Sequence, residues 1–315
     1  PWGKIIIQYC AENSGGGNST VIPLPQPRIN AVYAALANGT CAHGFELDDV
    51  HSPSLSHPGS VVIPAALAIG EAQNASGKRI VEGIVAGYEV MARVGWTIAK
   101  EHIAKGFHPT GTFGVFGAVT AAAKILGLDE EQIQDAFGLA ASYASGLMQF
   151  SVNGSMVKRV HAGKAAAQGV ELAILAGKGF TGPREIFEGK YGFCNVFTDR
   201  KDAIRWSKLT ENLHQTFEIQ NINFKPSAPA CNVLHAVIDC IKLINAERKL
   251  EGDQIEEIIV KGHEKLVKEH NVYRPENILS AQYSLPFTVG LAVQGVVENP
   301  KVYLDENILN QEAVL

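Results

Sequence analysis

Between Ile29 and Phe180 the chain is a succession of Ala- and Gly-rich segments with almost no period-two alternation. That texture leaves little room for a sheet in the first 200 residues. Between Arg79 and His102, Ile80, Ile84, Tyr88, Met91, Gly95 and Ile98 recur at three- and four-residue steps, the spacing of one helix face. "RINAVYAALANGTCAHGFE" reads as a helix whose small residues allow close backbone approach. "SVVIPAALAIGEAQ" reads as another, with Pro64 tolerable only in its first turn. "GTFGVFGAVTAAAKILG" follows, then "DEEQIQDAFGLAASYASGL", where Asp129 is the expected N-cap and the acidic first turn suits the helix dipole. "HAGKAAAQGVELAILAGKGF" is a further helix, with Lys158 in the loop before it and a Gly-Lys-Gly stop. These segments predict a predominantly α-helical domain with a buried core of small residues.

The flanks differ. "AENSGGGNST" reads as a turn or loop, and "VIPLPQPR" as extended because of its prolines. After about Asn221 a Pro-rich loop leads into a helix within "NINFKPSAPACNVLHAVIDCIKLINAERK". "DQIEEIIVKGHEKL" then places Ile255, Ile258 and Val260 in a pattern suited to a strand. The expected fold is mainly α: a large all-α helical domain over residues 1–220 and a smaller α+β unit over residues 221–315. No internal repeat is visible.

Composition narrows the function classes. At 46% hydrophobic and 19% charged, the chain is too apolar for disorder. A net charge of −5, with no basic run longer than two residues, argues against a nucleic-acid partner, which needs clustered cations to displace counterions. No apolar run reaches the roughly 18 residues that span a bilayer. The five cysteines are odd in number and contain no C-x-x-C pair, which fits a reducing, cytoplasmic compartment and neither a disulfide framework nor a zinc knuckle. The chain opens on Pro1-Trp2, without Met or a signal-peptide pattern, as expected of a fragment or a chain with its start removed.

Four stretches carry chemistry. "HGFELDDVHSPSLSHPG" packs His43, Glu46, Asp48, Asp49, His51 and His57 into one short segment, a costly density of proton-active groups to bury without pairing or use. Three readings stand: metal ligands, a helix-terminal polar loop, or a metal-free acid/base site. The last leads, because His-x-x-Glu-x-Asp-Asp is not H-E-x-x-H and a turn follows at once. In "KGFHPTGTFG", His108 precedes Pro109 at a helix start, where backbone N–H groups favour an anion, although a histidine before proline is by itself more often structural. In "GSMVKRVHAGKAAAQG", Lys158, Arg159, His161 and Lys164 are flanked by small apolar residues. At least one cation therefore points inward, although a basic run is more often a solvated face. In "NFKPSAPACNVLH", Lys225 leads a loop holding Cys231, whose nucleophilic role would need His235 and is the weaker reading.

Taken in order, "ANGTCAHGFELDDVHSPSLSHPGSVVIPAALAIGE", "GYEVMARVG", "GFHPTGTFGVFGAVTAAAKILGLD", "HAGKAAAQG" and "NFKP" resemble the MmgE/PrpD family over nearly the whole chain. That family includes 2-methylcitrate dehydratases, cis-aconitate decarboxylases and iminodisuccinate epimerases. The resemblance implies a helical domain, an α+β lid, a cleft between them, a homodimer, and neither metal nor other cofactor. It implies acid/base roles for Glu46, Asp49, His57, His108 and Lys158, and substrate contacts from Asp48, His161, Lys225 and Cys231. Three positions depart from its decarboxylase members: Val50 stands in place of a threonine, Cys231 in place of a histidine, and Phe287 in place of a tyrosine with Tyr283 one turn away. Members also extend beyond this chain at both ends.

The expected activity is therefore that of a cofactor-independent lyase moving a proton next to a carboxylate of a small polycarboxylic acid, with 2-methylcitrate dehydration as the leading case. Iminodisuccinate epimerisation and cis-aconitate decarboxylation are the alternatives. Two rivals belong to other classes: a metal-dependent hydrolase built on His43, Asp48, Asp49 and His51, and a non-catalytic fragment or binding protein.

Overall fold

The structure, a computed structural model, describes residues 2–22, 27–225 and 227–304. Residues 23–26 of the Pro-rich "VIPLPQPR" stretch, and Pro226 of the later Pro-rich loop, lie outside the described residues. The chain is mainly helical. In order, α1 is Trp2–Asn13, α2 Ala31–Ala42, α3 Gly59–Ala72, α4 Gly77–Ala104, α5 Pro109–Leu126, α6 Glu130–Tyr143, α7 Phe150–Asn153 and α8 Val157–Gly177. Beyond these come α9 (Phe193–Val196), α10 (His235–Glu247), α11 (Lys265–His270), α12 (Ile278–Tyr283) and α13 (Leu285–Val293). The chain divides into two compact units: residues 1–44, 48–148 and 157–223 form the first, and residues 45–47, 149–156 and 224–315 the second.

In the first unit α5 is the central element, packed against α3, α4 and α8, while α8 also packs along α2. The expected stripe on α4 is real: Tyr88, Met91, Gly95 and Ile98 are buried, and Ile80 and Ile84 pack against the same core. Ser76 caps α4, and Asp129 with Gln132 closes a reciprocal capping box on α6. Small residues decide how closely the helices approach. A Cβ on Gly163 of α8 would lie 2.2 Å from Thr40 Oγ1 and 2.3 Å from the Leu36 carbonyl of α2. Because one neighbour is backbone, a side chain swing cannot relieve the clash. Gly163→Ala should cost about 1–3 kcal/mol, read as a lower denaturant midpoint with an unchanged m-value.

Three expectations are corrected. Pro64 is the sixth residue of α3, beyond the first turn, and is buried. The Ser60 carbonyl, which would otherwise accept from that missing amide, faces Gly39 of α2, 3.1 Å from where a Cβ there would stand. Lys158 lies inside α8, because the helix starts at Val157. Its neighbour Arg159 anchors that start, donating from Nε to the Gly44 carbonyl at 3.0 Å with its guanidinium 3.9 Å above the Trp2 ring. Finally, the described part of the second unit contains helices and irregular chain, and residues 255–263 form no strand. Ile258 and Ile259 are exposed there, and an alternating segment without a ladder partner cannot hold a strand. Among the described residues, β pairing is limited to isolated bridges, of which Val50 with Asn223 and His51 with Ser56 matter below.

Candidate active site

Four helix ends and one loop of the first unit deliver the polar side chains. His43 follows the C-terminus of α2, His57 lies just before α3, His108 is the N-cap residue of α5, and Lys158 and His161 occupy the first two turns of α8. Asp48 and Asp49 come from the loop after α2. The imidazoles cluster: His43 is 5.0 Å from His57 and 5.8 Å from His108, and His108 is 5.2 Å from His161, centroid to centroid.

Hydrogen bonds fix where protons sit. His57 Nδ1 lies 2.7 Å from the Asp49 carbonyl, which only accepts, so Nδ1 carries a hydrogen. His43 Nδ1 donates to Asp48 Oδ2 at 2.5 Å, and that oxygen is 3.5 Å from His57 Nδ1. His108 Nδ1 and His161 Nδ1 are 3.0 Å apart and share one hydrogen. The Asp49 carboxylate accepts from Tyr88 Oη at 2.7 Å and from the Gly59 amide at 2.9 Å. Its backbone, and not its carboxylate, orients a histidine. Gly59 is required there, since a Cβ would fall 2.7 Å from both Asp49 Oδ1 and the Tyr88 hydroxyl.

Burial dominates the electrostatics. It pushes His43 down to about 3, partly opposed by Asp48, with Lys158 adding to the fall. His108 is held well below the usual histidine range by burial and then by the neighbouring imidazoles, and His161 is lowered by burial and by Lys158. Burial also raises Asp49. These imidazoles are therefore neutral at pH 7, able to take a proton from a substrate and return it. Lys158, 2% exposed, lies close enough for its charge to lower both His43 and His161. A stability consequence follows. For a histidine whose folded pKa is lowered, the unfolded chain binds protons first, so stability is fully present above pH 6.5 and lost as pH falls toward the folded value. Six histidines share that sign (His43, His51, His102, His108, His161 and His235); Asp49 is raised and has the opposite one, while the raised cysteines and tyrosines titrate above this range. The urea midpoint should fall between pH 7 and pH 5; a flat profile would contradict these shifts.

The hydrolase set is not assembled as expected, because His51 is engaged with Ser54 and Glu218, away from Asp48. His43, Asp48 and His57 do each bring one ligand atom within 4.8 Å of the others. Both Nδ1 atoms in that group carry hydrogens in the bonds above, so a metal bound with those bonds intact would have to take the Nε2 atoms.

The second unit holds the remaining candidates. Lys225 Nζ donates to Glu46 Oε2 at 3.1 Å, with both residues 2% exposed. Glu46 adopts φ 56°, a strained conformation for a non-glycine residue. The Cys231 amide donates to the Gln282 carbonyl, and His235 Nε2 donates to the Ala230 carbonyl, so that nitrogen is not available to the Cys231 thiol. Sequence reading had not assigned acid/base roles to His43 and Tyr88. Tyr88 was legible only as part of the α4 stripe, and nothing local marked its hydroxyl as the partner of Asp49.

Residues 1–205 match the MmgE/PrpD N-terminal domain. The chain is 31% identical over 264 residues to the cis-aconitate decarboxylase-like protein oryM of Aspergillus oryzae, covering 80% of this chain and 53% of that protein. It is 30% identical over 252 residues to cis-aconitate decarboxylase of Aspergillus terreus (77% and 51%). It is 31% identical over 268 residues to the Homo sapiens enzyme of that name (82% and 54%). The chain thus spans about half the length of the curated relatives it matches, and it belongs to the MmgE/PrpD family.

Proposed function

We propose that this chain carries the proton-transfer site of a cofactor-independent lyase acting on a small polycarboxylic acid, with 2-methylcitrate dehydration as the leading reaction. The observation that carries the reading is the cluster of His43, His57, His108 and His161, with the charge of buried Lys158 acting on His43 and His161. In the proposed reaction an imidazole, His57 or His108, removes the proton on the carbon next to a carboxylate. Lys158 stabilises the enediolate charge that develops. The C–O bond then breaks, the imidazolium gives its proton to the departing hydroxyl, and an unsaturated acid and water leave with the site in its starting state. His43, held by Asp48, and His161, bonded to His108, keep the two reacting rings in place. In this reading Lys225 and His161 bind carboxylates, with Asp48 and Cys231 as further substrate contacts and Glu46 and Asp49 completing the acid/base set. A lid formed by the chain after residue 221, a homodimer and a cytoplasmic location are part of the same proposal.

Cis-aconitate decarboxylation is the second reading, favoured by the named activity of the relatives. Val50, Cys231 and Phe287, where the decarboxylase pattern has threonine, histidine and tyrosine, weigh against it. Iminodisuccinate epimerisation shares the first proton abstraction. Incubation with 2-methylcitrate should produce an unsaturated acid seen by its ultraviolet absorbance. Release of carbon dioxide from cis-aconitate would favour the second reading, and α-proton exchange on iminodisuccinate without either product would favour the epimerase. A protein inert toward all three would contradict the proposal.

A further inference from the structure

A second buried polar chain runs through the first unit, and the chemistry above makes no use of it. His51 is fully buried. Its Nε2 lies 3.1 Å from Glu218 Oε2 and its Nδ1 2.8 Å from Ser54 Oγ, which is 2.6 Å from Ser56 Oγ. The carboxylate only accepts, so His51 Nε2 carries the hydrogen. Nδ1 then accepts from the Ser54 hydroxyl, which in turn accepts from Ser56. The order of groups is that of a serine–histidine–carboxylate triad, but Ser54 is fully buried and no substrate reaches its hydroxyl.

Glu218 is itself tied down. Its amide donates to Glu89 Oε2 at 2.7 Å, and Asn221 Nδ2 donates to its Oε2 at 3.1 Å. Arg93, paired with Glu89 at 2.5 Å, donates from Nη1 to the carbonyls of Lys208 and Glu211 at 3.2 and 2.7 Å. Helix α4 thereby holds residues 206–221, and Glu218 extends that hold to the turn before His57. The turn needs holding: Leu55 sits at φ 54°, and such strain persists only where surrounding bonds over-determine it. The bonds that hold it include the paired amides and carbonyls of Val50 and Asn223, both at 2.8 Å, Asn223 Nδ2 on Ser52 Oγ at 3.0 Å, the His51 amide on the Ser56 carbonyl at 2.9 Å, and the Ser54–His51–Glu218 chain.

We propose that Glu218, acting through His51, is a positioning residue for His57: the carboxylate–imidazole–hydroxyl chain clamps the 50–56 turn onto residues 217–223 and fixes the imidazole that follows. The catalytic half of this proposal rests on the reading of His57 as a proton-transfer group; the clamp itself does not.

The test compares Glu218→Gln, which keeps an oxygen to accept from His51 Nε2–H, with Glu218→Ala and with Ser54→Ala, which breaks the other end at little change in volume. Amide hydrogen exchange, the ring resonances of His57, and kcat and KM on 2-methylcitrate or cis-aconitate are measured on each. In Glu218→Ala and Ser54→Ala, amides of residues 50–57 should exchange faster while those of α5 and α8 keep their protection, and the His57 resonances should shift or broaden. Loosening that ring should lower kcat by roughly 10- to 10²-fold with little change in KM, and Glu218→Gln should restore most of the rate. Unchanged exchange in both alanine variants overturns the clamp. A loosened turn with unchanged His57 resonances and unchanged kcat overturns the positioning role. If the parent chain turns over neither acid, the reading of the site fails, and exchange together with the His57 resonances still decides this proposal.

Discussion

His108→Ala is expected to lower turnover by roughly 10²- to 10⁴-fold, the loss typical of a removed acid/base group, while the helical unit stays folded. The fold should tolerate the change because the His108 side chain makes no capping bond to α5. The bond that positions the segment runs from the His108 amide to the Gly146 carbonyl at 3.0 Å, and alanine keeps it. The variant also deprives His161 of its Nδ1 partner, so the defect should not be confined to a missing proton carrier. His57→Ala should show a loss of similar size. Circular dichroism and steady-state rates check both. A variant of either histidine with parental kcat would remove that residue from the acid/base set.

Lys158→Ala should lower kcat/KM by roughly 10²- to 10³-fold, as for a group that stabilises charge developing in the transition state. It has a second, independent signature. Lys158 depresses His43 and His161, so removing the cation should raise both pKa values toward the ordinary range. NMR titration of the ring protons reads this directly. An activity loss without that rise would mean that the ammonium group does not face the imidazoles, and the charge assignment would fall with it.

The helices of the first unit were legible because their signals are local. The α4 stripe repeats at helical spacing, and Asp129 with Gln132 is a capping box readable within four residues. The start of α8 was misread because its determinants are distant: the Gly44 carbonyl and the Trp2 ring that hold Arg159 lie far back in the sequence. The strand expected near Ile258 shows the converse. Its alternation is local, but a strand is made by its partner, and none pairs with it among the described residues.

The site followed the same division. The density of histidine and acid in residues 43–57 marked the segment, yet nothing within it separates His43 and His57 from His51. That distinction comes from Glu218, 167 positions away, which takes His51 out of the cluster. Likewise Asp49 looked like an orienting carboxylate until Tyr88, 39 positions on, is seen to occupy it. Residue types announce that protons will be handled; long-range bonds decide which ring handles them.

The central claim is that these imidazoles move a proton on the carbon beside a substrate carboxylate. The direct measurement is release of deuterium to water from 2-methylcitrate deuterated at that carbon, followed by deuterium NMR. The account predicts release with the parent chain, and its loss in the His57→Ala, His108→Ala double variant. No release by the parent, or undiminished release by the double variant, would contradict it.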